Sequence, residues 1–363
     1  MPSKMPRAGL EPARECSGDF KSPASTIPPP RLSVLPKCLD ELIVNFKGCP
    51  GTLLQTSGSM GVSKPIFHTL EQHILAARAV IANTRLDSNS CSLLSLPLNH
   101  IGGLAILIRA WVSGGRFVLP EKHWNPDWAV SQAGVTHLSL VSTQLRRFMQ
   151  DKTNLKAMRK LKAILLGGSA ISRSLIEQAY QEDLPIITTY GSTETCSQVT
   201  ATALGDNLDR LLTSGKCLPD REVQMSASGE ICVKGNMICE PGTYHTGDLG
   251  FLDPQGYLHV LGRLDNRLIS GGENIYPEEI ERALLEHPDV EQVLVAAKDD
   301  AEFGQRPVAF VKMRADCELA PERLQDFLRD RLLRFKVPKD WRQWPHDLPE
   351  TLKINRSFFA KLV

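Results

Sequence analysis

TLLQTSGSMGVSKP, residues 52 to 65, sets a short apolar run, Thr52 to Leu54, against a cluster of hydroxyls and glycines that ends in Lys64 and Pro65. Gly58 and Gly61 permit a tight turn that brings backbone N–H groups close to a ligand. Ser57 and Ser59 add donors, and Lys64 adds a flexible positive charge. These are the parts that hold a polyphosphate. The ATPase pattern G-x-x-x-x-G-K-[ST] cannot be laid on the stretch. By itself it also reads as a Ser/Gly-rich surface turn, so the flanking sequence has to decide.

Downstream, short apolar runs alternate with helical patterns. Leu70, Ile74, Ala77 and Ile81 share one helical face. LLSLPL (93–98), RFVLP (116–120), THLSLV (136–141), KAILLGG (162–168) and PIITTYG (185–191) read as buried strands. Helices are expected between them: an apolar one from Gly102-Gly103 to about Val112, one capped by Ser142, and one over SRSLIEQAYQ. This order predicts an α/β fold with a mainly parallel, helix-covered sheet. GEICVKG and YLHVLG then suggest a small β-rich subdomain. After Gly262 the pattern becomes a compact αββα module, with Pro277 opening a helix that has Glu278 and Glu279 in its first turn. The expected division is a tail over 1–32, a large domain over 33–262 and a small mobile α+β domain over 263–363.

The chain has 363 residues, 42% hydrophobic and 23% charged, with a net charge of +1. That balance offers no electrostatic case for nucleic acid. No apolar run reaches the roughly 18 to 20 residues of a membrane span. The nine cysteines form no CxxC pair, so neither a disulfide framework nor a zinc site is indicated, and a cytoplasmic setting is the default. Residues 1 to about 32 are proline-rich and aperiodic, which predicts a disordered tail. GLEPARECSGDFKSPASTIPPP also resembles a transfer-RNA gene translated in the wrong frame, an extraneous segment.

Four further segments carry chemistry. TTYGSTET (188–195) follows a buried strand, where open α/β sheets bind ligands. Tyr190 could stack on a base, Thr193 could bond a phosphate, and Glu194 could hold Mg²⁺. Asp248 in YHTGDLG suits a ribose diol, and GRLDNRLISGG joins Arg263 and Asp265 to a Gly271-Gly272 turn. Lys353 lies in LPETLKINR. Taken singly, these read as a helix-capping loop, a turn, a linker and a surface lysine.

Taken together and in order, the five segments resemble the adenylate-forming superfamily of acyl-CoA synthetases, firefly luciferase and peptide-synthetase adenylation domains. Thr56 to Lys64 matches its T-S-G-[ST]-T-G-x-P-K loop, Tyr190 to Glu194 its Y-G-x-T-E, Thr246 to Asp248 its T-G-D, and Gly262 to Asp265 its G-R-x-D hinge. SLPLNHIGGLAILIRAW, LKAILLGGSAI and DAEFGQRPVA further resemble the o-succinylbenzoate–CoA ligase family of menaquinone biosynthesis. The resemblance implies ATP, Mg²⁺ and CoA as co-substrates or cofactors, and an acyl-adenylate intermediate. It implies phosphate contacts from Thr56, Ser57, Gly58, Ser59, Gly61 and Lys64, and an adenine and acyl pocket lined by Gly167, Gly168, Ser169, Tyr190 and Gly191. It further implies metal binding by Glu194, catalysis by Lys353 and Thr193, ribose and nucleotide contacts from Asp248 and Arg263, a pivot at Asp265, and a CoA channel at Gly271 and Gly272.

For the acid, Arg109 is the candidate, because it is the one charge in the apolar helix GGLAILIRAWVSGG and a buried guanidinium wants a carboxylate. The open alternative is an Arg paired to a structural acid or reaching the surface. His100 could touch the substrate or merely bond backbone.

Four departures from the pattern stand out. Met60 replaces a threonine, and Ser63 then Pro65 replace the loop's usual proline arrangement. The family's P-x-T-x-x-G-K is shortened around Lys353, and only about fifty residues precede the phosphate loop, where relatives carry a further subdomain. The expectation is therefore an exposed apolar face and self-association. The open functional readings are the succinylbenzoate ligase, a ligase for another aryl or fatty acid, and a truncated non-catalytic nucleotide-binding remnant.

Overall fold

The computed structural model describes residues 26–27, 42–46, 48–57, 63–168, 171–315, 317–345 and 356–363. Within the expected tail, β1 (Thr26–Ile27) pairs antiparallel with Phe117 and Val118 at the edge of the sheet. β2 (Val44–Phe46), β3 (Cys49–Ser57) and β4 (Ser63–Thr69) form an antiparallel sheet. Its register sets Thr56 opposite Lys64 and Ser57 opposite Ser63. Lys64 and Pro65, expected in a loop, thus belong to a strand. Val44 and Leu53 are exposed on this sheet.

α1 (Leu70–Thr84) starts with a capping box: the Thr69 hydroxyl accepts from the Gln72 N–H at 3.2 Å, and the Gln72 side chain accepts from the Thr69 N–H at 2.8 Å. The parallel sheet follows, with β5 (Cys91–Leu93), α2 (Ile101–Ser113), β6 (Arg116–Val118), β7 (His137–Leu140), α3 (Ser142–Met149), β8 (Ala163–Leu166), α4 (Arg173–Gln181) and β9 (Ile186–Ser192). The strand order is β6-β5-β7-β8-β9, all parallel. β10 (Ser197–Ala201) and β11 (Lys216–Cys217) extend it antiparallel. Alternation divides the faces. Ile164 and Leu166 pack with Leu145, Phe148 and Leu175 of α3 and α4. Ala163, Leu165 and Ile187 pack with Ala79 and Val80 of α1.

Two expectations are corrected here. The strand expected over 93–98 ends at Leu93, because Ser95 turns back onto the Leu93 carbonyl and Pro97 has no N–H for a ladder. A Cβ at Gly103 would lie 2.1 Å from the Pro97 carbonyl, so the glycine lets α2 begin directly against that turn. Ser142 does not cap α3; it is the first helical residue, and the Gln144 side chain instead accepts the Val141 N–H at 3.1 Å.

β12 (Arg221–Met225), β13 (Glu230–Gly235), β14 (Tyr244–Leu252) and β15 (Leu258–Arg263) form the expected β-rich meander. The remaining elements are β16 (Leu268–Ser270), β17 (Glu273–Ile275), α5 (Pro277–Leu285), β18 (Val290–Asp300), β19 (Gly304–Met313), α6 (Pro321–Arg329), β20 (Asp340–Gln343) and α7 (Arg356–Ala360). They enclose a separate apolar cluster that includes Ile280, Leu284, Val295, Val311 and Leu328. The expected αββα pattern gains a hairpin before it and a parallel strand, β20, after it. α6 stops at Arg329. Arg356 ties α7 to α5: its Nη1 donates to Glu281 Oε1 at 2.7 Å and its Nη2 to Glu278 Oε1 at 3.3 Å. α5 also grips the meander, since Arg282 donates to the carbonyls of Val260 at 2.6 Å and Leu261 at 2.8 Å.

Candidate active site

The site elements follow the carboxyl ends of the parallel strands, the position where open α/β sheets receive ligands. His100 follows β5, Gly167 and Gly168 follow β8, and Tyr190 to Glu194 end β9. Close backbone approach explains two glycines. A Cβ at Gly167 would lie 2.4 Å from the Thr189 hydroxyl, and one at Gly191 would lie 1.8 Å from the Ser197 carbonyl across the β9–β10 hairpin.

One hydrogen-bonded chain brings three sequence segments together. The Tyr190 hydroxyl donates to Asp248 Oδ2 at 2.7 Å, Arg263 Nη1 donates to Asp248 Oδ1 at 3.0 Å, and Arg263 Nη2 donates to Asp265 Oδ2 at 3.0 Å. Asp248 and Arg263 face each other across β14 and β15. Burial pushes the Asp248 carboxyl above its ordinary pKa, against the pull of Tyr190 and Arg263. Burial and the Asp248 charge together push the Tyr190 phenol far up, so it remains a donor. A carboxylate has about four lone-pair sites. Asp248 therefore keeps acceptor capacity for a diol while holding both neighbours.

The turn that carries Thr193 and Glu194 is braced from below by two histidines the sequence reading passed over. His68 Nε2 lies 2.6 Å from the Thr193 carbonyl, and His73 joins the Thr52 hydroxyl at 2.7 Å to the Cys196 thiol at 3.2 Å. Because a carbonyl only accepts, His68 is protonated on Nε2. Burial lowers the pKa of both rings, that of His73 to about 3. The pair ties β3, β4 and α1, which flank residues 58–62, to the Glu194 turn. Glu194 is half-buried, and after burial itself its charge is the next contributor to the raised pKa of Tyr244. No signal of period or spacing marks His68 or His73 as site residues in the sequence.

Arg109 is 3% exposed. Its Nη1 donates to Gln198 Oε1 and its Nη2 to Ser139 Oγ, each at 3.1 Å. Among the described residues it has no carboxylate partner, which removes the alternative of a structural ion pair with any of them. Burial pushes its pKa down to about 10. Gln198 is the cross-strand partner of Gly191, so the guanidinium lies beside the Tyr190–Glu194 segment. A cavity of ≈ 10 Å³, close to the volume of one water, adjoins it between α1, α2 and β10.

Other expected residues are not drawn into this network. His100 is exposed at the start of α2, nine residues and about 13 Å of helix rise from Arg109. Gly271 and Gly272, at φ +60° and +85°, make the tight β16–β17 turn in the C-terminal unit. Thr56 bonds the Lys64 carbonyl at 3.3 Å, and the Lys64 side chain is exposed. Gly58, Ser59, Met60, Gly61, Ser169 and Lys353 lie outside the described residues.

A helix-covered parallel sheet with a buried aspartate held by Tyr190 and Arg263, a carboxylate-bearing turn and a trailing α+β unit is the make-up of an adenylate-forming protein. The chain belongs to the AMP-binding enzyme family: that family's model matches residues 50–240, and the model of the AMP-binding enzyme C-terminal domain matches 279–353. It is 34% identical over 324 residues to a 2-succinylbenzoate–CoA ligase of Bacillus cytotoxicus, covering 82% of this chain and 66% of the relative. A ligase of the same name from Listeria innocua is 33% identical over 326 residues, at 84% and 68%. Among solved structures, the o-succinylbenzoate CoA synthetase of Bacillus subtilis with its acyl-adenylate intermediate has a TM-score of 0.75 and 29% identity, covering 85% of this chain and 68% of that one. The same synthetase with ATP and magnesium ion gives 0.74 and 29%, at 84% and 69%. The chain spans 64 to 66% of the length of the first two curated relatives it matches.

Proposed function

We propose that this chain is an ATP-dependent acid–CoA ligase that converts o-succinylbenzoate to its CoA thioester through an acyl-adenylate, a step of menaquinone biosynthesis. The observation that carries the reading is Arg109, a buried guanidinium with no acid partner among the described residues, one hydrogen bond from the strand position opposite Gly191. The proposed substrate has two carboxylates. One is activated, and the other supplies the missing counter-charge at Arg109. Other aryl or fatty acids lack that second group.

In the first half-reaction a carboxylate oxygen attacks the α-phosphorus of ATP and pyrophosphate departs; in the second the CoA thiol displaces AMP. The protein's task is to position anions and neutralise developing charge. Asp248 would accept the ribose hydroxyls while Tyr190 and Arg263 hold its carboxylate in place. The 57–64 loop would hold the outer phosphates, and Gly167 and Gly168 would leave room for the adenine. The Thr193–Glu194 turn suits Mg²⁺: it presents a half-buried carboxylate beside a threonine, with its backbone locked by His68. Magnesium bound there would neutralise phosphate charge. Lys353 would bridge the carboxylate and phosphate oxygens, and rotation of residues 263–363 about Asp265 would exchange it for the Gly271-Gly272 loop and CoA.

No helix among the described residues is long and apolar enough to cross a membrane. A cytoplasmic setting and small-molecule partners accord with the proposed chemistry. ATP–pyrophosphate exchange with a panel of acids tests the reading. Exchange that requires o-succinylbenzoate is the expected result. Exchange with benzoate or fatty acids instead would replace the substrate, and none with any acid would support the non-catalytic alternative.

A further inference from the structure

On the outer face of the β-rich meander, three side chains of different chemistry converge. Ile231 and Val233 point inward and are fully buried, so Glu230 and Cys232 project from the opposite face of β13. His245 on β14 is the cross-strand partner of Cys232. His245 Nδ1 lies 3.5 Å from Cys232 Sγ and 2.9 Å from Glu230 Oε2, and the three donor atoms all fall within 4.8 Å of one another. Cys232 is buried, yet it stands outside the apolar cluster that takes up its two neighbours on β13.

We propose that Glu230, Cys232 and His245 form a binding site for a borderline-soft divalent cation of the zinc class. Thiolate, imidazole and carboxylate are the donor types such ions take, and three protein ligands plus water complete a tetrahedron. With Zn–S of ~2.3 Å and Zn–N of ~2.05 Å, a tetrahedral site sets sulfur and nitrogen about 3.6 Å apart. The observed 3.5 Å needs almost no adjustment. The carboxylate must open by about half an ångström from its present hydrogen bond to reach the ~3.4 Å that two such ligands span. The thiol proton is released to solvent as the S–metal bond forms.

The carboxylate is already oriented for this role. Glu230 Oε1 accepts the Gly247 N–H at 2.9 Å, which leaves Oε2 turned toward His245. His245 is 60% exposed and provides the entry path and the open fourth position, whereas the Glu230 side chain is 15% exposed. Because Gly247 immediately precedes Asp248, a cation here would stiffen the strand irregularity from which that aspartate projects.

The test uses the full chain, stripped with chelator, then equilibrated with Zn²⁺ and dialysed. One tightly held zinc per chain is expected, with the same stoichiometry in Cys217→Ser, which removes an exposed thiol elsewhere. Cys232→Ser and His245→Ala should each weaken zinc by more than the ~10–100-fold typical of losing an outer-sphere partner. Co²⁺ substitution should give sulfur-to-cobalt charge transfer and intense tetrahedral bands, both absent in Cys232→Ser. His245 is exposed, so His245→Ala remains informative even if Cys232→Ser folds poorly. No retained zinc, or equal retention in both variants, would overturn the proposal.

Discussion

Replacing Arg109 by methionine separates two roles a buried arginine can have. Removing one partner of a buried ion pair costs about 3–5 kcal/mol, because the other charge is stranded. Arg109 strands no acid among the described residues; its loss removes one bond each from the Ser139 hydroxyl and from Gln198 Oε1, which still accepts from the Ser197 hydroxyl at 2.9 Å. Against those two bonds stands the cost of burying the cation, whose pKa falls from its ordinary 12.5 to about 10. At ~1.4 kcal/mol per pKa unit this is about 3 kcal/mol. The two contributions largely cancel, so Arg109→Met should lie within ~3 kcal/mol of the parent in guanidinium chloride unfolding without ligand, a hydrogen bond from a charged donor being worth about 1.5–3 kcal/mol. Recognition should suffer much more. A charge-assisted bond to a carboxylate contributes roughly 1.5–3 kcal/mol, a KM increase of about 10- to 150-fold for o-succinylbenzoate. Exchange assays should show KM for ATP almost unchanged. A stability loss beyond ~3 kcal/mol, or a parallel rise in KM for ATP, would mean that Arg109 holds the fold rather than the acid.

Acid should destabilise the protein through its buried histidines. The folded pKa of His73 lies near 3, below the ordinary 6.5, so the unfolded chain binds more protons between those values and stability falls as pH drops through that window. At pH 5 the loss is ~2 kcal/mol for this ring, and urea midpoints for His73→Gln should show a shallower pH slope. Lys353→Ala should abolish adenylate formation, by about a hundredfold or more, yet spare thioester formation from supplied acyl-adenylate; equal losses in both half-reactions would remove the lysine from its assigned role. Asp265→Pro, placed in the 3-10 turn Leu264–Asn266, should leave adenylation intact and stall CoA transfer, and an unaltered transfer rate would displace the pivot elsewhere.

Period and composition sufficed where one physical demand governs a segment. The alternating apolar runs became the parallel sheet because burial on both faces is the only requirement they meet, and Pro277 opened its helix for the same reason of single purpose. The reading failed where two demands compete. Residues 94–98 are apolar enough for a strand, but Pro97 and the approach of Gly103 turn them away from the sheet. Arg109 could be singled out because it breaks an apolar run. Gln198, which holds it, could not, since a glutamine on a short strand has no distinguishing pattern. The His68–Thr193 contact spans 125 residues of sequence, and only the fold brings those atoms together.

The Arg356 clamp has a mechanical consequence. Lys353 is three residues before Arg356, so its Cα can be no more than about 11 Å from that anchor, whatever path the chain takes. Glu278, which receives Arg356, also receives the Asn266 amide beside Asp265. One carboxylate thus moors both the arm that bears the lysine and the shoulder about which it would swing. Under any turn of the C-terminal unit the lysine would be carried with the Arg356 anchor and could stray from it by no more than that reach. Lengthening the arm by inserting residues between 353 and 356 should therefore disturb catalysis more than a comparable insertion after Lys361.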